Sequence, residues 1–381
     1  MALAKPTVYP NSQADPLYVE ASALLSKRLT GIGRLVARLL AAITQLRPVR
    51  LVTTIQAETA RNQRLSTSLL CGHEIALTAQ DAADADGDIA VWARQILRRP
   101  RRRHDVRESS RHAGLYTMLR PAERHFRREL CLLYDFTPLL LPWAHTSDTR
   151  ENFGNYFTQT SGLCDKAVAI SHSTRHDASW LCALPPEDVV VCHPGPSVCV
   201  RAHACGGSMS RRDDVLLVVS TLEPRKNGRL LLDWFLETSV LAPGAELWWV
   251  GPQGWLCDGI KRTRRKSRGR SIKLLGMISD RRLCEAYRQA GATIYPSLYE
   301  GFGFPVVDSL WHGTPVLCSF NSSLQEFSFS GVYFFDGCDP GSLDEAYRAM
   351  EADRPVAIAR SALEERFSWD RMARTVESLC A

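Results

Sequence analysis

The stretch "TIYPSLYEGFGFPVVDSL" (residues 293–310) passes from an apolar strand through a glycine-rich turn into a helical pattern, with Glu300 before the turn and Asp308 after it. Strand, turn and helix in that order make a βα unit. Gly301 and Gly303 let backbone N–H groups approach a ligand, and Pro305 suits the first helical turn, so the free amides there form an anion cradle. Asp308 is expected in that first turn, where a carboxylate complements the helix dipole by up to about 1 kcal/mol. Glu300 has no capping duty, which points to a ligand.

Working outward, "VVSTLEPRKNGRLLLDWF" (residues 218–235) repeats the arrangement. A strand ends at Ser220, and Arg225 and Lys226 precede a helix that Asn227 is suited to cap. Adjacent cations at a helix start oppose its dipole unless an anion sits there, and a phosphate would resolve the conflict. One loop thus offers cations for a diphosphate, and the other offers amides and two acceptors for sugar and ribose hydroxyls. That combination describes a nucleotide-sugar site.

The same strand and helix alternation runs through most of the chain. "VLLVVS", "ELWWVG", "IKLLG" and "ATIYPS" are strand candidates of a C-terminal α/β series, and "PLYVEAS", "VRLVTTI", "EIALTA", "ELCLLYDF", "KAVAIS" and "DVVVCHPG" of an N-terminal one. Short Val-, Ile- and Leu-rich strands between helices predict parallel sheets buried on both faces, with ligands beyond the strands' carboxyl ends. "GIGRLVARLLAAITQL" places Ile32, Leu35, Val36, Leu39, Leu40 and Ile43 on one helical face. The stretch 195–213, rich in Gly, Ser and charge, has linker composition.

Composition bounds the function class. The chain has 381 residues, 45% apolar and 23% charged, enough for two soluble domains. No apolar run approaches the roughly 20 residues of a membrane span, and the first residues lack a secretory pattern, which predicts a cytoplasmic protein. Twelve cysteines without C-x-x-C spacing read as buried free thiols and indicate no metal site. The net charge of +6 is concentrated in "LRRPRRRHDVR" (97–107) and "KRTRRKSRGR" (261–270). Such runs are solvated loops or seats for an anionic membrane surface or polyanion; neither is interleaved with aromatics, so nucleic acid is not expected.

The motifs resemble those of the retaining glycosyltransferases of family 4, glycosyl transferases group 1. The resemblance is carried by "STLEPRKN", "PSLYEGFGFPVVDSLWHGTPV", "FNSSLQE" and "FSWDRMARTVESL", and more weakly by "LTGIGRLVARLL", "LYDFTPLLLP" and "CDKAVAISHSTRHDASWL". It implies the GT-B fold: an acceptor-binding Rossmann-like domain (1–205) and a nucleotide-sugar-binding one (214–365) facing a central cleft, with a last helix (366–381) crossing back. It implies transfer of a hexose with retention, without metal or cofactor, from a nucleoside diphosphate sugar to a saccharide or lipid-linked acceptor. By analogy the first expectation is mannose from GDP-mannose, used in bacterial polysaccharide assembly at the inner face of the membrane. Lys226, Arg225 and Glu300 would be catalytic. Gly31, Gly33, Ser220, Gly301, Phe302, Gly303, Phe304 and Asp308 would hold the donor, with Asp308 at the ribose. Tyr134, Asp135 and His145 are acceptor-side candidates.

Two departures stand out: the second acid of the family's pair is here the shorter Asp308, and Tyr134 stands where many relatives have histidine. Competing readings are a nucleotide-sugar binder without transfer and a basic nucleic-acid-binding protein. "GIGRLV" is a poor dinucleotide fingerprint because Val36 replaces its third glycine. Asp84-Ala85-Asp86 imitates a metal-binding acid pair but reads as a solvated loop.

Overall fold

The computed structural model describes residues 14–25, 29–52, 73–83, 85, 88–118, 120–121, 123–153, 163–198, 210–255 and 269–381. The acid pair at 84 and 86 and most of the 261–270 basic run lie outside these. Eight strands form one sheet: β1 (Leu17–Glu20), β2 (Val49–Val52), β3 (His73–Leu77), β4 (Arg102–Arg103), β5 (Ala113–Tyr116), β6 (Arg128–Leu133), β7 (Lys166–Ala169) and β8 (Val189–Val191). Its order is β4-β3-β2-β1-β5-β6-β7-β8. It is parallel except that β3 runs antiparallel to both β2 and β4.

A second sheet contains β9 (Arg212–Val219), β10 (Glu246–Val250), β11 (Ser271–Gly276), β12 (Ala290–Tyr295), β13 (Val316–Ser319) and β14 (Val332–Phe335). Every pairing is parallel, in the order β11-β10-β9-β12-β13-β14. This is the doubly wound order whose switch point lies between the first and fourth strands, here β9 and β12. All six residues of β12 are buried, as a central parallel strand requires. The loops carrying Lys226 and Glu300 leave the carboxyl ends of these two adjacent strands.

The two halves share a core. Phe302 packs against Phe327 and Phe367, with ring centroids 5.3 and 5.7 Å away, and Phe304 stacks on Trp369. Burial of each such ring stabilises by roughly 1.5–3 kcal/mol. The helix Trp369–Leu379 lies against the helix Gly31–Thr44, and Trp369 Nε1 donates to the carbonyl of Pro196 at 2.8 Å. Gly195 permits this contact, since a Cβ there would stand 2.5 Å from the indole.

Some local expectations fail. The Arg102–Arg103 pair forms a short edge strand rather than part of a loop, and β5, β13 and β14 were not singled out as strands. Seven described cysteines are thiols as expected, Cys131, Cys192, Cys318 and Cys380 among them buried, whereas Cys284 is disulfide-bonded. Among the described residues no helix is long and apolar enough to cross a membrane.

Gly195→Ala should overpack the Trp369 contact and lower stability by about 1–3 kcal/mol, whereas Gly31→Ala, with open space around its Cβ, should not. Thermal unfolding of both variants is the check; equal melting temperatures would show that the last helix is not seated on Gly195.

Candidate functional site

Lys226, Arg225 and Glu300 meet at the switch point. The short 3-10 helix Pro224–Lys226 follows β9, and Leu298 N–H donates to the Arg225 carbonyl at 2.9 Å, joining the loop to the one after β12. Glu300 accepts from Lys226 Nζ at 2.5 Å through Oε1 and from Arg225 at 2.8 Å through Oε2. Tyr295 OH donates to Oε1 at 2.9 Å, and Glu223 takes the second arm of Arg225 at 2.9 Å. Glu223, Lys226 and Glu300 are all buried.

The cations are therefore neutralised within the protein, which corrects the expectation that only an external anion could balance them. Burial alone would raise the Glu300 carboxyl, but Arg225 and Lys226 outweigh it and bring it to about 2. Lys226 is pushed below its ordinary value by burial and by neighbouring Arg225, with Glu300 opposing. Burial raises Glu223. Sequence reasoning missed Glu223 and Tyr295, although Glu223 lies inside "STLEPRKN"; only the tertiary fold turns both toward Glu300.

Ser220 Oγ, Ser319 Oγ and Arg225 Nε are buried without a hydrogen-bond partner among the described residues. They lie at or just beyond the carboxyl ends of β9 and β13. Buried polar atoms ordinarily find partners, so these suit an oxygen-rich ligand.

The turn behaves differently from its reading. Gly303 has φ +113°, a conformation that favours glycine, and the helix is Phe304–Trp311. Asp308 thus falls in the second helical turn, not the first. Its Oδ1 accepts from Ser197 N–H at 2.7 Å and its Oδ2 from Ser197 Oγ at 2.5 Å. A ribose hydroxyl would have to displace that serine. Phe302 and Phe304 spend their side chains on the shared core. Gly31 and Gly33 lie in the first turn of a helix capped by Thr30, rather than in a loop before it. Asn227 makes no side-chain cap; its amide donates to Gly337 O at 2.7 Å.

The acceptor-side candidates divide. Tyr134 OH donates to Thr117 O at 2.7 Å, turning back into its own half, and burial pushes the phenol well above 10. The Tyr134 carbonyl abuts Gly301, where a Cβ would stand 1.9 Å away. Asp135 accepts from Thr137 N–H and Oγ1 at 3.0 and 2.7 Å. His145 packs near Trp255, with ring centroids 6.2 Å apart, and neither ring nitrogen has a hydrogen-bond partner among the described residues. Burial lowers its pKa, Arg225 lowers it further and Asp135 opposes. His145 and Asp135 therefore sit in the field of Arg225, whereas the Tyr134 hydroxyl points elsewhere.

Comparison with known proteins is consistent with this geometry. Residues 209–368 match the family described as glycosyl transferases group 1. That segment is a group 1 glycosyltransferase domain. It contains Arg225, Lys226, Glu300 and Asp308. The chain is 34% identical over 163 residues to the O-antigen chain mannosyltransferase B of Escherichia coli, covering 40% of this chain and 42% of that one. It is 25% identical over 234 residues to the serotype-specific mannosyltransferase WbdA of Escherichia coli, covering 56% of this chain and 29% of that one. These matches span less than half the length of either relative.

Among solved structures, Anabaena HepE in complex with UDP and glucose superposes with a TM-score of 0.61 at 14% identity, covering 95% of this chain and 98% of that one. Sucrose-phosphate synthase from Thermosynechococcus elongatus gives 0.62 at 15%, covering 96% and 98%. At that identity the likeness establishes the fold, GT-B, around the group 1 domain.

Burial raises the Asp308 carboxyl from 3.8 to about 6, against the hydrogen bonds from Ser197 and Val198. A raised folded value stabilises below the unfolded pKa, and that stabilisation is lost as pH rises through about 6. Asp308→Asn should therefore gain on the wild type between pH 4 and 7, by an amount on the order of 3 kcal/mol. Denaturant unfolding across that range tests it; a pH-independent difference would contradict a buried, titrating Asp308.

Proposed function

We propose that the protein is a retaining glycosyltransferase that moves mannose from GDP-mannose to a saccharide or lipid-linked saccharide acceptor in polysaccharide assembly. The observation that carries this is the buried Arg225, Lys226 and Glu300 cluster at the switch point of a group 1 glycosyltransferase domain. Similarity to O-antigen mannosyltransferases supports the choice of sugar.

The barrier to transfer lies in breaking the bond to the diphosphate, so fixed cations aimed at the developing charge supply the main catalysis. Arg225 and Lys226 take that role, helped by the amides of Gly301 to Phe304. An arriving diphosphate competes with Glu300 for the cations, and the released carboxylate accepts hydrogen bonds from the sugar hydroxyls. Ser220 and Ser319 offer further bonds to the donor. The scheme assigns no step to a metal ion or cofactor. Asp135 and His145 face the cations from the other half, where the acceptor hydroxyl enters, and approach of the two halves excludes water.

Lys226→Ala should cut release of nucleoside diphosphate by roughly 100-fold or more, the scale of losing one preorganised charge-stabilising donor. A panel of GDP- and UDP-sugars assayed for donor hydrolysis identifies the base and sugar; unchanged turnover in the variant would remove Lys226 from the chemistry. Donor binding with no transfer to any lipid-linked acceptor would favour a binding protein instead.

Arg101, Arg102 and Arg103 are exposed on the acceptor-side half and form a seat for an anionic membrane face. Vesicles containing anionic lipid should recruit the protein in a salt-sensitive manner, and charge reversal at these three positions should weaken recruitment. Equal binding to neutral vesicles would rule this seat out.

A further inference from the structure

A second constellation lies beside the first and shares no residue with it. His172 opens the helix His172–Cys182 after β7, His193 follows β8, and Glu326 ends the 3-10 helix Ser322–Glu326 after β13. One ligand atom from each of the three lies within 4.8 Å of the others. His193 Nε2 and Glu326 Oε2 are already 2.8 Å apart. We infer that His172, His193 and Glu326 form a binding site for one divalent transition-metal ion of the zinc class, joining the two halves of the molecule.

The donor chemistry selects the ion. Two imidazoles and one carboxylate suit zinc and its neighbours rather than magnesium or calcium, which prefer oxygen alone. Donors bound tetrahedrally to one zinc sit roughly 3.3 Å apart. The His193 and Glu326 atoms are closer than that and need only separate slightly as the ion replaces the proton between them. His172 is exposed, so its ring can turn about its side-chain torsions to close the remaining gap.

The surroundings hold two of the three ligands firmly. Glu326 Oε1 accepts from Ser173 N–H at 3.0 Å and Oε2 from His172 N–H at 3.1 Å, which fixes the carboxylate. Hydrogen-bonded outer partners of this kind orient ligating groups. The His193 ring is wedged against Phe367 and Phe302, with centroids 5.6 and 6.2 Å away. Three protein ligands leave a fourth position open to water. Because His172 and His193 precede β9 whereas Glu326 follows β13, the ion would clamp the two halves together.

Co²⁺ is the probe, added to the full chain, with zinc competition against a chromophoric chelator as the second measurement. The expected result is one ion per chain with a spectrum of nitrogen and oxygen ligands. His172→Ala and His193→Gln should weaken it by more than the roughly 10–100-fold that follows loss of an outer hydrogen-bonding partner. Zinc should also raise the melting temperature of the wild type but not of the His172→Ala, His193→Gln double variant. His172 is exposed, so its variant tests the site even if changes at His193 disturb folding. The inference is overturned if the wild type binds no ion, if the variants bind as tightly, or if a thiolate charge-transfer band places the metal on cysteines. None of these outcomes depends on glycosyl transfer.

Discussion

Glu300 between Arg225 and Lys226 is the interaction on which the site depends. A buried ion pair recovers its desolvation cost only when its geometry is good and the remaining donors and acceptors are met. The geometry is good, since each carboxylate oxygen has its own cation, Tyr295 supplies a further bond and Glu223 takes the other arm of Arg225, while Arg225 Nε is left without a partner among the described residues. The cluster fixes the loops after β9 and β12 against each other. It also keeps two cations around one buried carboxylate, the arrangement on which the proposed diphosphate role rests.

Several contacts between the halves have a side chain of one half capturing backbone N–H groups of the other. Glu326 takes the N–H groups of His172 and Ser173, and Asp308 takes that of Ser197 in the segment leading out of the first sheet. Thr174 Oγ1 donates to the carbonyls of both Tyr134 and Gly301, tying one half to the other at the turn itself. Gly301 lets the two backbones touch. These bonds are directional, so their exchange for ligand contacts provides a physical route to opening and closing.

Asp308 illustrates how one residue changes meaning with context. Its family resemblance assigns it to a ribose, yet its side chain reaches Ser197 with both oxygens. A serine whose hydroxyl and N–H both face the carboxylate competes with a ribose for the same acceptor atoms.

The sequence alone determined the α/β alternation, because strand and helix periodicities are local and the buried parallel strands are predominantly apolar. It also singled out Arg225, Lys226 and Glu300, since cations and an acid beyond strand ends have few structural uses. Strands β5, β13 and β14 escaped although they match the recognised β1, β2 and β7 in length, and β4 escaped because two arginines at an edge carry no apolar pattern. The tertiary structure decided the pairings: Glu300 with its two cations, Asp308 with Ser197, Tyr134 turned away and His145 turned in, and Glu326 with His193. Each joins residues far apart in the chain whose partner is chosen by sheet order and by the approach of the two halves, and local sequence does not encode that distance.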